Sequence, residues 1–204
     1  MIGKKYIGLV GQIAAGKEVF AEYLIKKYGF TTFSLSTVVH HELEKRGIKE
    51  FTRKTLQDIG DELRKKIGDD VLAIKTMEIL NNENLPARPA GGPAGRHGRP
   101  VVITGIRNPD EVKYFKKIPG FILVAIKSKR KTRFQRVLKR GKPWDPKTYE
   151  DFYKIDRRDY GIGQEKSDQQ VGKCIKMADY TLMNNKNVGS FYEKIEKLIN
   201  KLKI

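Results

Sequence analysis

Cysteine is all but missing from this 204-residue chain. Cys174 stands alone, so no disulfide can close within the chain, and a cysteine-based metal site is disfavoured. That usage fits a reducing cytosol, and a cytoplasmic protein is expected. Long apolar runs are missing too. The longest clean one, Phe121 to Ile126, is far shorter than the roughly 20 residues a membrane-spanning helix needs, so no membrane partner is expected. The opening residues, MIGKKYIGLVG, lack an apolar core followed by a small-residue cleavage site. They read as a strand entering a glycine turn, not as a signal peptide. Acidic side chains are scarce: 24 Asp and Glu face 42 Lys and Arg, a formal net charge of +18. The excess points to a polyanionic partner, whether nucleic acid, an acidic membrane surface or a phosphorylated small molecule. A hydrophobic fraction of 39% excludes a disordered chain, and the length fits one domain with a full core.

Apolar periodicity divides the chain into alternating elements. Tyr6–Val10, Phe30–Leu35, Val101–Thr104, Phe121–Ile126 and Tyr180–Met183 read as buried strands. Glu18–Tyr28, Val38–Arg46, Lys54–Ile67, Asp69–Asn82, Arg130–Arg140, Thr148–Tyr160 and a final stripe from Phe191 to Leu202 read as helices, several of them stopped by glycine. Strands alternating with helices predict an α/β fold, a parallel sheet covered on both faces, with no internal repeat. Asn84 to Pro100, NLPARPAGGPAGRHGRP, has no periodicity and reads as a flexible insert before the third strand. Ligands of open α/β sheets bind beyond the C-terminal ends of the strands, so this insert is expected to lie away from the chemistry.

The sharpest motif is Gly11-Gln12-Ile13-Ala14-Ala15-Gly16-Lys17, a G-x-x-x-x-G-K sequence between a predicted strand and a predicted helix. Glycines at both ends let the backbone fold into a nest of N–H donors around an anionic oxygen. The helix beginning near Lys17 aims its positive end at the same place, and Lys17 adds a mobile charge for β- and γ-phosphates. The pattern then departs. Where Ser or Thr would hold Mg²⁺, the chain has Glu18. Its carboxylate either reaches the metal, directly or through water, or serves only as a favourable acid in a helix's first turn.

Four stretches carry a family resemblance: GLVGQIAAGKEVFAEYL, RKTLQDIGDELRKKIG from Arg53 to Gly68, ITGIRNPDEV from Ile103 to Val112, and VGKCIKMADYTLMNN from Val171 to Asn185. With them the chain resembles the P-loop nucleoside and deoxynucleoside monophosphate kinases, and their relative dephospho-coenzyme A kinase. The resemblance implies a three-layer P-loop fold whose five-stranded parallel sheet runs in the order 2-3-1-4-5. It implies one kinase domain over 1–204, with an acceptor-binding region about 36–83, the insert about 84–100 and a mobile lid about 127–170. It also implies γ-phosphoryl transfer from ATP, with Mg²⁺, to a nucleoside monophosphate or dephospho-coenzyme A.

Residue roles follow from matching positions. Gly11 to Glu18 would cradle the nucleotide, joined by Arg136 and by Asn184 and Asn185, which end the last strand where such kinases pack against adenine. Glu18 and Thr104 stand at the metal-linked positions, Thr104 where the family commonly has an acid. Ser36, His40, Arg53, Gln57, Arg64, Asn108 and Arg158 would meet the acceptor, with His40 in a place usually held by Arg. Arg107 either clamps a phosphate with two parallel hydrogen bonds or pairs with a nearby acid. Lys127 to Lys147 holds ten basic side chains against Asp145 alone. Arg133, Arg136 and Arg140, spaced three and four apart, share one helix face. With Arg157 and Arg158 they are the expected lid arginines, neutralising charge while water is excluded. Trp144 either stacks on a base or packs. The catalytic group is thus expected to be Lys17, Arg107, Arg133, Arg140 and Arg157. A rival of another class is a nucleotide switch or nucleic-acid binder that keeps the P-loop without turnover. The charge favours it, while the absence of a known DNA- or RNA-reading motif and of aromatics interleaved with the basic run counts against it, so nucleic acid is not the favoured partner.

Overall fold

The computed structural model describes residues 6–81, 100–143 and 145–203. Trp144 and all of the Asn84–Pro100 insert except Pro100 lie outside them. Five strands, β1 (Tyr6–Val10), β2 (Thr31–Ser34), β3 (Val101–Thr104), β4 (Phe121–Lys127) and β5 (Tyr180–Met183), pair in parallel in the order β2-β3-β1-β4-β5. Tyr6 sits opposite both Val101 and Phe121, which fixes the register of the central three. In chain order the helices are α1 (Lys17–Tyr28), α2 (Ser36–Lys45), α3 (Arg53–Ile67), α4 (Val71–Asn81), α5 (Pro109–Lys116), α6 (Arg130–Arg140), α7 (Tyr149–Tyr160), α8 (Val171–Lys176) and α9 (Val188–Leu202).

Successive strand residues face opposite sides of the sheet, and here both sides are covered. Ile7, Leu9, Val102, Val124 and Ile126 pack on one side with α1 and α9, through Phe20, Leu24, Phe191 and Ile195. Tyr6, Val10, Ile103, Leu123 and Ala125 pack on the other, against α2 to α5 and α8. Each fully buried Leu, Val or Ile among them contributes about 1.5–3 kcal/mol. A third cluster is small: Ile13 of the β1–α1 loop, Val137 of α6 and Phe152 of α7. It presses α6 and α7 onto that loop. Because the strands are parallel, the loops that follow β1, β3, β4 and β5 all emerge at one edge of the sheet, where a ligand crevice forms.

Two helices were not foreseen from periodicity. α5 starts at Asn108-Pro109-Asp110-Glu111, where the Asn108 side chain accepts from the Asp110 N–H at 2.9 Å and Glu111 accepts from the Asn108 N–H at 3.0 Å. A capping box with Pro in the first turn is a helix-start signal independent of apolar spacing. α8 has six residues, too few to display a period.

Candidate functional site

The β1–α1 loop is shaped by its backbone. Gly11, Ala14 and Gly16 have φ of 151°, 56° and 113°, in the region that favours glycine. A Cβ at Gly11 would overlap the Ile126 carbonyl, and one at Gly16 would overlap the Asn184 side-chain amide. Gly16 is the N-cap of α1 and no side chain caps it, so the helix presents its first N–H groups and positive end to the loop's mouth. The Lys17 ammonium lies back across that mouth, donating to the carbonyls of Gly11 at 2.5 Å and Gln12 at 3.0 Å. These groups suit a polyphosphate: a nest of donors, a helix end and a cation that can swing outward.

The α6 arginines hold this loop from below. Arg133 and Asp156, 2% and 1% exposed, form a two-pronged ion pair. Gln12 donates to both oxygens of Asp156 at 3.1 and 3.2 Å, and Arg133 reaches the Ile13 carbonyl at 3.4 Å. Arg136 donates to the Asn184 carbonyl at 3.0 Å and to its side chain at 3.2 Å, while Asn184 donates to the Ala15 carbonyl at 2.9 Å. Burial lowers the pKa of Arg136 from its ordinary value. Arg140 grips Asp145 with two bonds of 2.8 and 2.7 Å. The shared face predicted for Arg133, Arg136 and Arg140 exists, and it is turned onto the loop with each arginine already engaged. Asn185 accepts from the Lys129 N–H at 2.8 Å and ties β5 to the start of α6.

At the two positions expected from the sequence to be metal-linked, the exposed Glu18 carboxylate meets Lys142 at 3.2 Å and Arg140 at 3.9 Å, and Thr104 donates to the Phe33 carbonyl at 3.4 Å. Among the described residues no group of three or more His, Cys, Asp or Glu could hold a metal. A phosphate-bound Mg²⁺ asks for less, one or two protein oxygens completed by phosphates and water, and Glu18 and Thr104 are the oxygens at those positions.

Several of the residues expected to meet an acceptor gather in a second polar cluster. Arg64 is 2% exposed and is held by Glu111 through bonds of 2.9 and 2.7 Å and by Asp61 at 3.0 Å. Burial opposes its charge, but the two carboxylates outweigh burial and raise its pKa. Asp61 is pushed up by burial, against the pull of Arg64 and Arg158. Arg158 of α7 reaches across to Asp58 at 2.6 Å and Asp61 at 3.1 Å of α3. Gln169 accepts from both Gln57 at 3.2 Å and Arg107 at 3.0 Å, and Arg107 also lies 3.4 Å from the buried Asp159. Asn108 donates to the carbonyls of Lys166 and Asp168. Thus Gln57, Arg64, Arg107, Asn108 and Arg158 lie in one network, together with acids that the motifs did not announce.

Other expected residues stand apart. His40 meets Phe51 edge-on at 5.2 Å, and Ser36 shares a 2.8 Å hydrogen bond with Ser34. Arg53 opens α3, and its side chain lies outside the described residues. Arg157 is exposed and donates to the Tyr153 hydroxyl at 3.2 Å. Cys174 packs in the core, where burial pushes its thiol up and keeps it unreactive. The residues that motif reading missed are Asp61, Glu111, Asp156, Asp159 and Gln169. One signal was available: Asp156-Arg157-Arg158-Asp159 sets two acids three apart on a helix, so both lie on its buried face.

No family model matches the chain. A UPF0200 protein of Pyrococcus horikoshii is 32% identical over 197 residues, which cover 95% of this chain and 95% of that relative. Among solved structures, TT1252 from Thermus thermophilus superposes with a TM-score of 0.59 at 16% identity, covering 98% of each chain. A shikimate kinase from Acinetobacter baumannii in complex with shikimate gives 0.56 at 16% identity, over 99% of this chain and 96% of the other. At such identities the likeness establishes the fold, the one seen in P-loop kinases.

Proposed function

Because the chain belongs to the UPF0200 family and has the fold of P-loop kinases, we propose that it is an ATP-dependent phosphotransferase whose acceptor is a (deoxy)nucleoside monophosphate. The observation that carries this reading is the uncapped N-terminus of α1 under the Lys17 ammonium, in a chain that also gathers Arg64, Arg107 and Arg158 into one polar cluster. One half suits a triphosphate and the other a monophosphate dianion.

In this mechanism the loop N–H groups from Gly11 to Lys17 bind the β- and γ-phosphates, and Lys17 leaves the loop carbonyls to follow the transferring charge. Mg²⁺ would supply charge neutralisation between the phosphates, with Glu18 and Thr104 as the protein oxygens nearest to its expected place in the sequence pattern. Arg107 and Arg158 exchange their carboxylate partners for the acceptor phosphate and align it with the γ-phosphoryl group. Arg140 and Arg157 complete the charge shell when α6 and α7 close. Arg133 and Arg136 keep the loop in shape. The acceptor is already an anion, so no general base is required. A ribose hydroxyl acceptor, as in dephospho-coenzyme A, would need one. Ser34, Ser36, Thr37 and Thr104 occupy the ends of β2 and β3 and the start of α2, and none is a carboxylate.

The test is incubation with ATP, Mg²⁺ and a panel of ribo- and deoxynucleoside monophosphates plus dephospho-coenzyme A, with Lys17→Ala as control. Phosphorylated product from one monophosphate names the substrate. ATP that raises Tm without product from any acceptor sinks the kinase reading and leaves a nucleotide switch.

A further inference from the structure

Helix α6 sorts its cations by face. Arg133 and Arg136 turn to the P-loop and Arg140 to Asp145, whereas Lys131 is exposed on the opposite side and Lys139 is exposed at its margin, with exposed Lys127 and Lys129 just ahead of the helix. None of these four lysines has an acidic partner among the described residues. The one acid between Lys127 and Lys147 is Asp145, which is buried and held by Arg140. Some lysines elsewhere are answered, as Lys54 is by Asp58, Lys66 by Glu62 and Lys116 by Asp179, and what sets this stretch apart is the density of its cations. Arg130 opens α6 and turns to α7, where it lies 3.3 Å from Asp156. The Arg130 guanidinium lies 4.9 Å from the centre of the Tyr153 ring and that of Arg157 lies 5.6 Å from it. Beyond them opens a groove of about 580 Å³ lined by Tyr153, Lys154, Arg157, Arg158, Ile162 and Gln164. Its one acid, Glu150, is paired with Lys154.

We propose that this face is a binding surface for single-stranded nucleic acid. The lysines form a track for a phosphodiester backbone, and the guanidinium and ring planes beside it offer stacking surfaces for unpaired bases, which a duplex keeps inside its stack. An anionic bilayer is a poorer fit: the outward face of α6 carries Lys131, Gln135, Leu138 and Lys139, so a single large apolar side chain is available to insert. The four lysines and Tyr153 take no part in the proposed phosphoryl transfer, whereas Arg157 and Arg158 of the groove do, so the tests leave both arginines in place.

The experiment measures fluorescence anisotropy with a labelled oligouridylate of about 12 nucleotides, the matching duplex, and cosedimentation with phosphatidylserine vesicles, across a salt series. Oligouridylate is expected to bind more tightly than duplex or vesicles, with log affinity falling by about 0.7 per log unit of salt for each phosphate neutralised. K127E/K131E/K139E is expected to weaken binding at least about tenfold and flatten the salt slope by about 2, while ATP-induced stabilisation and Tm stay as in the wild type. Tyr153→Ala is expected to weaken binding about tenfold with the slope unchanged. Equal binding by the triple variant, no oligouridylate binding at low salt, equal affinity for duplex, or capture by vesicles alone would each overturn the proposal.

Discussion

The two halves of the candidate site are built on opposite plans. The P-loop half is made of main chain from seven consecutive residues, with few side chains pointing in. The half proposed for the acceptor is made of side chains drawn from α3, the β3–α5 turn, α7 and the segment before α8, and its centre is buried. A main-chain site is specified locally by glycine and a helix start. A side-chain site depends on four segments arriving together, so its ionic groups must first hold the fold before they can serve a ligand. The first half should therefore fail in activity when broken, and the second in stability.

The largest effect is expected at Glu111. It is fully buried and accepts from Arg64 and from the Arg107 and Asn108 N–H groups. Glu111→Ala leaves the buried Arg64 charge to Asp61 alone and removes one half of the α5 capping box, and urea unfolding should show a loss of about 3–5 kcal/mol. Lys17→Ala should leave the urea midpoint in place and lower kcat by about 10²–10³ if transition-state charge rests on this ammonium. A loss of stability instead would contradict the division between the halves. Asn184→Ala probes the seam, since it releases the Ala15 carbonyl and one Arg136 contact. It should weaken ATP binding about tenfold, the worth of roughly one hydrogen bond to a charged group, by calorimetry. The smallest effect belongs to Glu62 on the exposed side of α3. Hydrogen bonds from Arg46 and then Lys66 lower its carboxyl from 4.5 to about 2. The folded value lies below the unfolded one, so its contribution is present above pH 4.5 and fades as pH falls through about 2. Glu62→Gln should flatten that acid limb slightly, and about 0.5 M salt should erase the difference.

Legibility followed the same division. Val101–Thr104, Tyr180–Met183 and Arg130–Arg140 lie where alternation and spacing put them, and the strand order is the one implied by the P-loop resemblance. Buried strands and amphipathic helices announce themselves within a few residues. Arg133 shows the limit of that reading. Its spacing gave the correct helix face, but spacing says nothing of what covers a face, and what covers this one is Asp156 from 23 positions away. Arg64 repeats the lesson: the resemblance makes it a residue that would meet the acceptor, yet spacing says nothing of the Glu111 and Asp61 that make its burial tolerable. A capping box made α5 legible in principle, whereas the pairing of Gln57 with Gln169 leaves no local trace at all.

The seam between β5 and the P-loop has a consequence for descent. Gly16 leaves no room for a Cβ because the Asn184 amide occupies that space, and the amide is held there by the carbonyl one residue earlier. Two positions 168 apart therefore share one volume. A lineage that enlarges residue 16 has to shrink residue 184 in the same step and lose its bond to the loop, so the pair is expected to drift together or stay fixed, as if the two were a single inherited character.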